Sequence, residues 1–151
     1  LFRLLDEYIT SALNEVEKIC VMEDSPVEKL RKFMLFYSSF YAGDQDRLVL
    51  LINDIDKLGE FYRLQVIEKE RRYYRALTGI FCQLQVDGIM KAMPPAVAAF
   101  AFFGMVHYTG KWFQSDGEIS AEALGEMFLE IFTKGVFTDS WKRGKCDAGE
   151  D

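Results

Sequence analysis

Between Pro94 and Phe113 the chain reads PPAVAAFAFFGMVHYTGKWF, and a helix drawn through this stretch is apolar around most of its circumference. Phe100, Phe103 and His107 fall in one row, while Val97, Ala98, Ala101, Phe102, Met105, Tyr108 and Trp112 lie opposite it. The later segment AEALGEMFLEIFTKG has the same breadth, with Leu124, Met127, Phe128, Leu129, Ile131 and Phe132. One apolar stripe is enough to dock a helix on a core. Two faces imply burial on both sides, and in a chain of 151 residues the second face is expected to meet another copy of the chain. Two such helices from each copy make a four-helix interface. The residues expected in it are Ala101, Met105, Tyr108, Trp112, Leu124, Met127, Phe128 and Ile131.

A membrane span is the competing explanation of so much apolar sequence. It needs about 20 apolar residues in succession. The run from Met93 to Val106 opens on Pro94 and Pro95 and then meets His107 and Lys111, so no membrane partner is expected.

The rest of the chain carries the same helical spacing, with no alternation of strand type. Leu1, Leu4, Leu5, Tyr8, Ile9, Ala12, Leu13, Val16 and Ile19 make a first amphipathic helix to about Val21. DSPVEKL starts a second: Ser25 is the N-cap, Pro26 takes the first helical position, and Glu28 can close a capping box. It stops near Gly43, and Asp44 caps a third, shorter helix that weakens from Asn53 to Gly59. No proline interrupts Gly59 to Met90, so one helix of about 45 Å is expected there as the central pillar of a bundle. Pro94 and Pro95 end it and begin the fifth helix. QSDGEIS is a turn in which Gly117 can be left-handed, Ser120 caps the sixth helix, and Gly135 is its expected stop. The fold class expected is therefore all-α, an antiparallel bundle of about six helices. Residues 1–137 form the domain, and 138–151 form a polar tail.

The chemistry of the chain excludes more than it assigns. A net charge of −6 argues against direct phosphate contacts with nucleic acid. Cys20, Cys82 and Cys146 are odd in number and far apart, which fits a reducing, cytoplasmic setting and no disulfide framework. With His107 as the sole histidine, neither a Glu-x-x-His di-iron site nor a zinc site can be assembled, so no metal and no cofactor is expected. No signature of a nucleophile accompanies His107, and there is no Gly-rich phosphate loop, so no enzyme is expected. The charge run EKERRYYR, Glu68 to Arg75, reads as a solvated helix face, although an inward arginine there would suit a carboxylate or phosphate.

Thirteen Phe and seven Tyr are many for a small bundle. Phe33, Tyr37 and Phe40 share a face of the second helix; Tyr73, Leu77 and Phe81 share one on the long helix; Phe100, Phe103 and His107 share one on the fifth. These rows are core packing or the lining of an apolar pocket. Taken as a pocket, they are the candidate ligand-binding residues, and a hydrophobic small molecule is the candidate ligand.

In order and pattern the chain resembles the C-terminal domain of a TetR-family transcriptional regulator. LFRLLDEYI looks like the helix that follows the DNA-binding domain. DGIMKAMPPAVAAFAFFGMVHYTGKWF is similar to the family's loop and penultimate helix, and DGEISAEALGEMFLEIFTKGV to its last. The resemblance covers about Leu1 to Val136. It implies an effector-binding and dimerisation domain, a homodimer, and operator DNA bound only through an N-terminal helix-turn-helix domain expected upstream of Leu1. A small molecule in the helical cavity would then control DNA binding by a repressor. The alternative is a stand-alone helical module that binds a small molecule or another protein.

Overall fold

The computed structural model describes residues 2–139, so the expected tail lies outside the described residues from residue 140 onward. The helices are α1 (Phe2–Val21), α2 (Pro26–Gly43), α3 (Gln45–Asp54), α4 (Glu60–Val86), α5 (Pro95–Trp112) and α6 (Ala121–Val136). A single 3-10 turn, Ile55–Lys57, joins α3 to α4 where the apolar spacing lapses. The described residues are all-helical apart from one isolated bridge, as the spacing requires.

Three of the helix starts follow from side-chain caps. The Glu28 amide donates to Ser25 Oγ at 3.2 Å, the Arg47 amide to Asp44 Oδ1 at 3.3 Å and the Ala123 amide to Ser120 Oγ at 3.1 Å. The cap at Ser25 is one-sided. The Glu28 carboxylate lies 3.5 Å from Arg31 instead of turning back to the cap, because a cation one turn along competes for it.

The helix ends depart from expectation in three places. Helix α4 closes at Val86, before Met90, because Gly88 adopts φ 72°. The Ile89 amide then reaches Leu84 O at 2.9 Å and the Gly88 amide reaches Gln85 O at 3.1 Å, the paired bonds of a Schellman closure. Gly117 is not left-handed; among the described residues Gly88 alone has positive φ. What Gly117 supplies is room, since a Cβ there would meet Gln114 O at 3.1 Å. Helix α6 passes through Gly135 and ends when Phe137 turns extended. Phe137 forms an antiparallel bridge with Met90, flanked by Lys91 N to Val136 O at 2.8 Å and Thr138 N to Ile89 O at 2.9 Å. This clip ties the α4–α5 linker to the end of α6.

The long α4 is not the central pillar. That place belongs to α2, which touches every other helix, whereas α4 packs mainly on α1, α2 and α5. The reason is charge. Glu68, Arg71, Arg72 and Arg75 lie exposed on α4, and charged positions like these cannot be enclosed. Helix α4 forms an ion-paired seam with α1 instead: Arg72 grips Glu17 with bonds of 2.7 and 2.8 Å, and Lys69 binds Asp6 and, at 2.6 Å, Thr10 Oγ1. Helix α2 has no such burden, and Leu30, Phe33, Met34, Tyr37, Ser38, Tyr41 and Ala42 are all buried. Helix α6 lies close against it at Gly125, whose missing Cβ would stand 3.5 Å from both Leu35 O and Ser38 Cβ.

Helix α5 leaves Val97, Phe100, Ala101, Tyr108 and Trp112 exposed, and α6 leaves Met127 and Ile131 exposed. Leu124 and Phe128 are buried in the subunit's own core, which takes them out of that uncovered face. Met105 is partly buried against the core.

Two glycines of this region are expected to respond oppositely to alanine. Gly88→Ala should lower the unfolding free energy by about 1–2 kcal/mol, because a Cβ is strained at positive φ. Gly79→Ala, mid-helix with open space where its Cβ would be, should raise it by about 0.5–1 kcal/mol. Urea denaturation of both variants measures the two changes.

Candidate functional site

A cavity of about 370 Å³ opens between α2, α4 and α5. Tyr37 comes from α2; Glu70, Tyr73 and Tyr74 from α4; Phe100, Phe103, Gly104 and His107 from α5. Its placement follows from helical spacing. Glu70, Tyr73 and Tyr74 stand at i, i+3 and i+4, and Phe100, Phe103 and His107 at i, i+3 and i+7, so each helix turns one row of side chains to the same space. The volume falls within the usual range of small-molecule pockets.

Rings form most of the wall. Tyr37 lies 5.1 Å from Phe103 and 5.5 Å from Tyr73, the latter nearly perpendicular at 79°. Tyr74 and Phe100 pair at 5.4 Å, and with Phe100 66 % exposed they form the mouth. Phe103 stacks on His107 at 6.2 Å. Such offset and edge contacts are the arrangements that ring quadrupoles favour.

The polar atoms are few and mostly committed. Tyr73 Oη donates to the Ile9 carbonyl of α1 at 2.6 Å and accepts from Tyr41 Oη at 3.3 Å. Tyr37 Oη and His107 Nε2 are 2.9 Å apart. Burial pushes the His107 imidazole down to about 4, so it is neutral at pH 7. Burial holds the Tyr37 hydroxyl far above its ordinary range, so it keeps its proton. The tautomer with the proton on Nδ1 leaves Nε2 free to accept from Tyr37. Glu70 stands at the rim, where partial withdrawal from water raises its carboxyl above the usual range.

Of the nine candidate ligand residues, Tyr37, Tyr73, Phe100, Phe103 and His107 meet at this cavity. Phe33, Leu77 and Phe81 do not, being fully enclosed in the core with Phe81 stacked on Phe132. Phe40 stacks on Tyr8 at 4.6 Å beside a different groove, of about 420 Å³, between α1 and the α2–α3 corner. That groove is more charged. Its Arg47 caps the Tyr8 ring at 5.1 Å and pairs with Asp44 at 3.3 Å. Glu70, Tyr74 and Gly104 are the cavity residues that the aromatic rows did not include. Glu70 and Tyr74 sit in the charge run, where the i, i+3, i+4 relation to Tyr73 was the available signal. The inward residue of that run is an acid, not an arginine: Arg71 and Arg75 face Glu68, and Arg72 holds Glu17.

The arrangement can enclose an apolar body and offers it a few polar atoms. Among the described residues His107 has a tyrosine as its hydrogen-bond partner and no serine or cysteine. Among the described residues no group of three or more His, Cys, Asp or Glu is placed to hold a metal ion. Nor is any helix of the described residues long and apolar enough to cross a membrane.

Comparison with known proteins follows the same line. Residues 23–136 match the family model described as the tetracyclin repressor-like C-terminal domain. A TetR/AcrR-family transcriptional regulator from Thermobifida fusca YX-ER1 superposes with a TM-score of 0.82 at 20 % identity, over 89 % of this chain and 72 % of that one. The regulator FadR of Bacillus subtilis, in complex with stearoyl-CoA, gives 0.69 at 20 % identity over 89 % and 73 %. AibR, in complex with isovaleryl coenzyme A and operator DNA, gives 0.70 at 23 % identity over 86 % and 73 %. No curated protein matches the chain at a significant level.

The lowered His107 value sets a pH dependence. An unfolded chain takes up the imidazole proton near 6.5, the folded one only near 4. The folded state therefore binds fewer protons between these values, and its stability falls as pH drops from 6.5 toward 4 while staying flat above. The loss should approach about 3 kcal/mol. Measured as a difference between the native protein and His107→Gln in urea unfolding at pH 7.5, 6.0, 5.0 and 4.0, it should disappear in the variant.

Proposed function

Since this chain belongs to the family of tetracyclin repressor-like C-terminal domains, we infer that it is the ligand-binding and dimerisation part of a transcriptional repressor. A hydrophobic small molecule enters the α2–α4–α5 cavity and thereby controls operator binding by an N-terminal helix-turn-helix domain of the same protein. The observation that carries this reading is a ring-lined cavity on one flank of α5 beside an uncovered apolar face on the same helix. A helix shared by a pocket and an interface lets occupancy of one change the geometry of the other. The structures of FadR with stearoyl-CoA and of AibR with isovaleryl coenzyme A and operator DNA support a ligand-responsive role for this fold. The family and fold point to a regulator and not to an enzyme.

The physical requirement is differential affinity. A ligand shifts the protein away from its DNA-competent shape only by binding the other shape more tightly, with a typical coupling of about 1–3 kcal/mol. Tyr73 offers a route for the shift. Its ring lines the cavity while its hydroxyl holds the α1 backbone at Ile9, so displacing the ring pulls on α1. Helix α1 is further tied to α4 by the contact of Phe2 with Tyr62, ring centroids 4.1 Å apart, and by the Lys69 and Arg72 ion pairs.

The dimer is formed by the exposed residues of α5 and α6. Tyr108 at 65 % and Ile131 at 63 % exposure are costly to leave in water, and both lie outside the subunit's core. Ile131→Glu should therefore yield a folded monomer in sedimentation velocity with unchanged helical circular dichroism. A variant that remains dimeric would remove this face from the interface.

The pocket is tested separately by filling it. A Cβ at Gly104 meets nothing within 4 Å, and the residue lines the cavity. Gly104→Leu should preserve or raise stability, by up to about 0.8 kcal/mol of helix propensity. It should abolish the calorimetric binding of an apolar probe such as 1-octanol. If octanol binds native protein and Gly104→Leu equally, the cavity is not the ligand site.

A further inference from the structure

The run Glu68–Arg75 contains six charged residues, and five of them have ion-pair partners outside the cavity lining. Lys69 binds Asp6, Arg72 binds Glu17, and Arg71 and Arg75 share Glu68. Glu70 is the exception. It makes no ion pair or hydrogen bond among the described residues, and it is the one acidic side chain among the described residues that line the cavity, its carboxyl raised above the usual range by partial burial. No lysine or arginine among the described residues lines the cavity. An anionic head group brought to this mouth would meet an unneutralised carboxylate and no cation. A positive one would meet its counter-ion.

The neighbouring rings reinforce the same sign. Tyr74 and Phe100 pair at the mouth, Tyr37 and Phe103 lie 5.1 Å apart further in, and an aromatic face attracts a cation within about 6 Å of its centroid. A carboxylate beside several π-faces, in a space of about 370 Å³ with the neutral His107 at its side, is complementary to a soft, weakly hydrated cation on an apolar body.

We propose that the α2–α4–α5 cavity takes a monocationic organic amine, with its apolar part among Tyr37, Phe103 and Tyr73 and its ammonium group between Glu70 and the Tyr74–Phe100 pair. The inference rests on this cavity being the effector site and adds the charge of the effector. The apolar part supplies the area buried, and the cation supplies selectivity against fatty acids and acyl-coenzyme A thioesters, whose carboxylate or phosphate groups find no partner here.

The test uses three probes with one chain length and three heads: octyltrimethylammonium, 1-octanol and octanoate, titrated calorimetrically at pH 7.5. The ammonium probe should bind at least tenfold more tightly than octanol, and octanoate more weakly than either. Glu70→Gln, which keeps the shape and removes the charge, should lower ammonium affinity at least tenfold, to about that of octanol. Gly104→Leu should abolish the binding of all three, assigning the signal to the cavity. Octanoate binding as tightly as the ammonium probe, or an ammonium preference that survives Glu70→Gln, overturns the amine proposal while leaving an apolar effector pocket standing. Binding of none of the three, or binding undiminished in Gly104→Leu, overturns the pocket and the amine proposal together.

Discussion

Tyr37 is the point on which the structure turns. Its ring touches those of Phe33, Tyr41, Tyr73, Phe102, Phe103 and His107, which belong to α2, α4 and α5, and its hydroxyl meets His107 across the bundle. Because α2 packs against every other helix, a ring at its centre fixes the spacing of the whole bundle. Rings are large and flat, and they meet at angles, so they do not fill the space between three helices the way Leu and Val do. The cavity beside Tyr37 is the space they leave. Core and pocket are thus made from the same residues, and the difference between them is whether a ring has neighbours on both faces or on one.

This dual use accounts for the polar economy of the site. The hydroxyls of Tyr8, Tyr41 and Tyr73 reach a backbone carbonyl or another hydroxyl, so burial of these side chains leaves no donor stranded. His107 is kept neutral by the same enclosure. Among the described residues lining the cavity, the Glu70 carboxyl at the rim and the Tyr74 hydroxyl at the mouth remain without a hydrogen-bond partner. The unpartnered Ser38 hydroxyl is a separate matter. It lies fully buried where α2 meets Gly125 of α6, and a small side chain there permits the close approach of the two helices.

Helix α5 couples the parts. Its Ala98, Ala99, Phe102 and Val106 face the core, its Phe100, Phe103 and His107 face the cavity, and its Val97, Ala101 and Tyr108 face outward. Three surroundings on one helix leave little freedom for it to turn without changing all of them. For α6 the division is simpler. The side carrying Leu124, Gly125 and Phe128 is buried within the subunit, and Met127 with Ile131 remains uncovered.

Much of this was legible before any coordinates. Caps at Ser25, Asp44 and Ser120, prolines at 94 and 95, and apolar spacing of helical period are local signals, read from residues a few positions apart. They specify which segments are helices and where three of them begin, because capping and periodicity are satisfied within the segment itself. Tertiary structure alone decided the partners. Leu77 and Phe81 share a helical face with Tyr73, yet those two are sealed in the core and Tyr73 lines the cavity. Leu124 and Phe128 have the same hydrophobicity as Met127 and Ile131 but point toward α2's side of the bundle. Glu70 looks like any member of its charge run until every other member is seen to have found a partner on α1 or on its own helix. A sequence states what each face of a helix is made of; which face meets which neighbour depends on residues far away along the chain, and that information exists only once the helices are assembled.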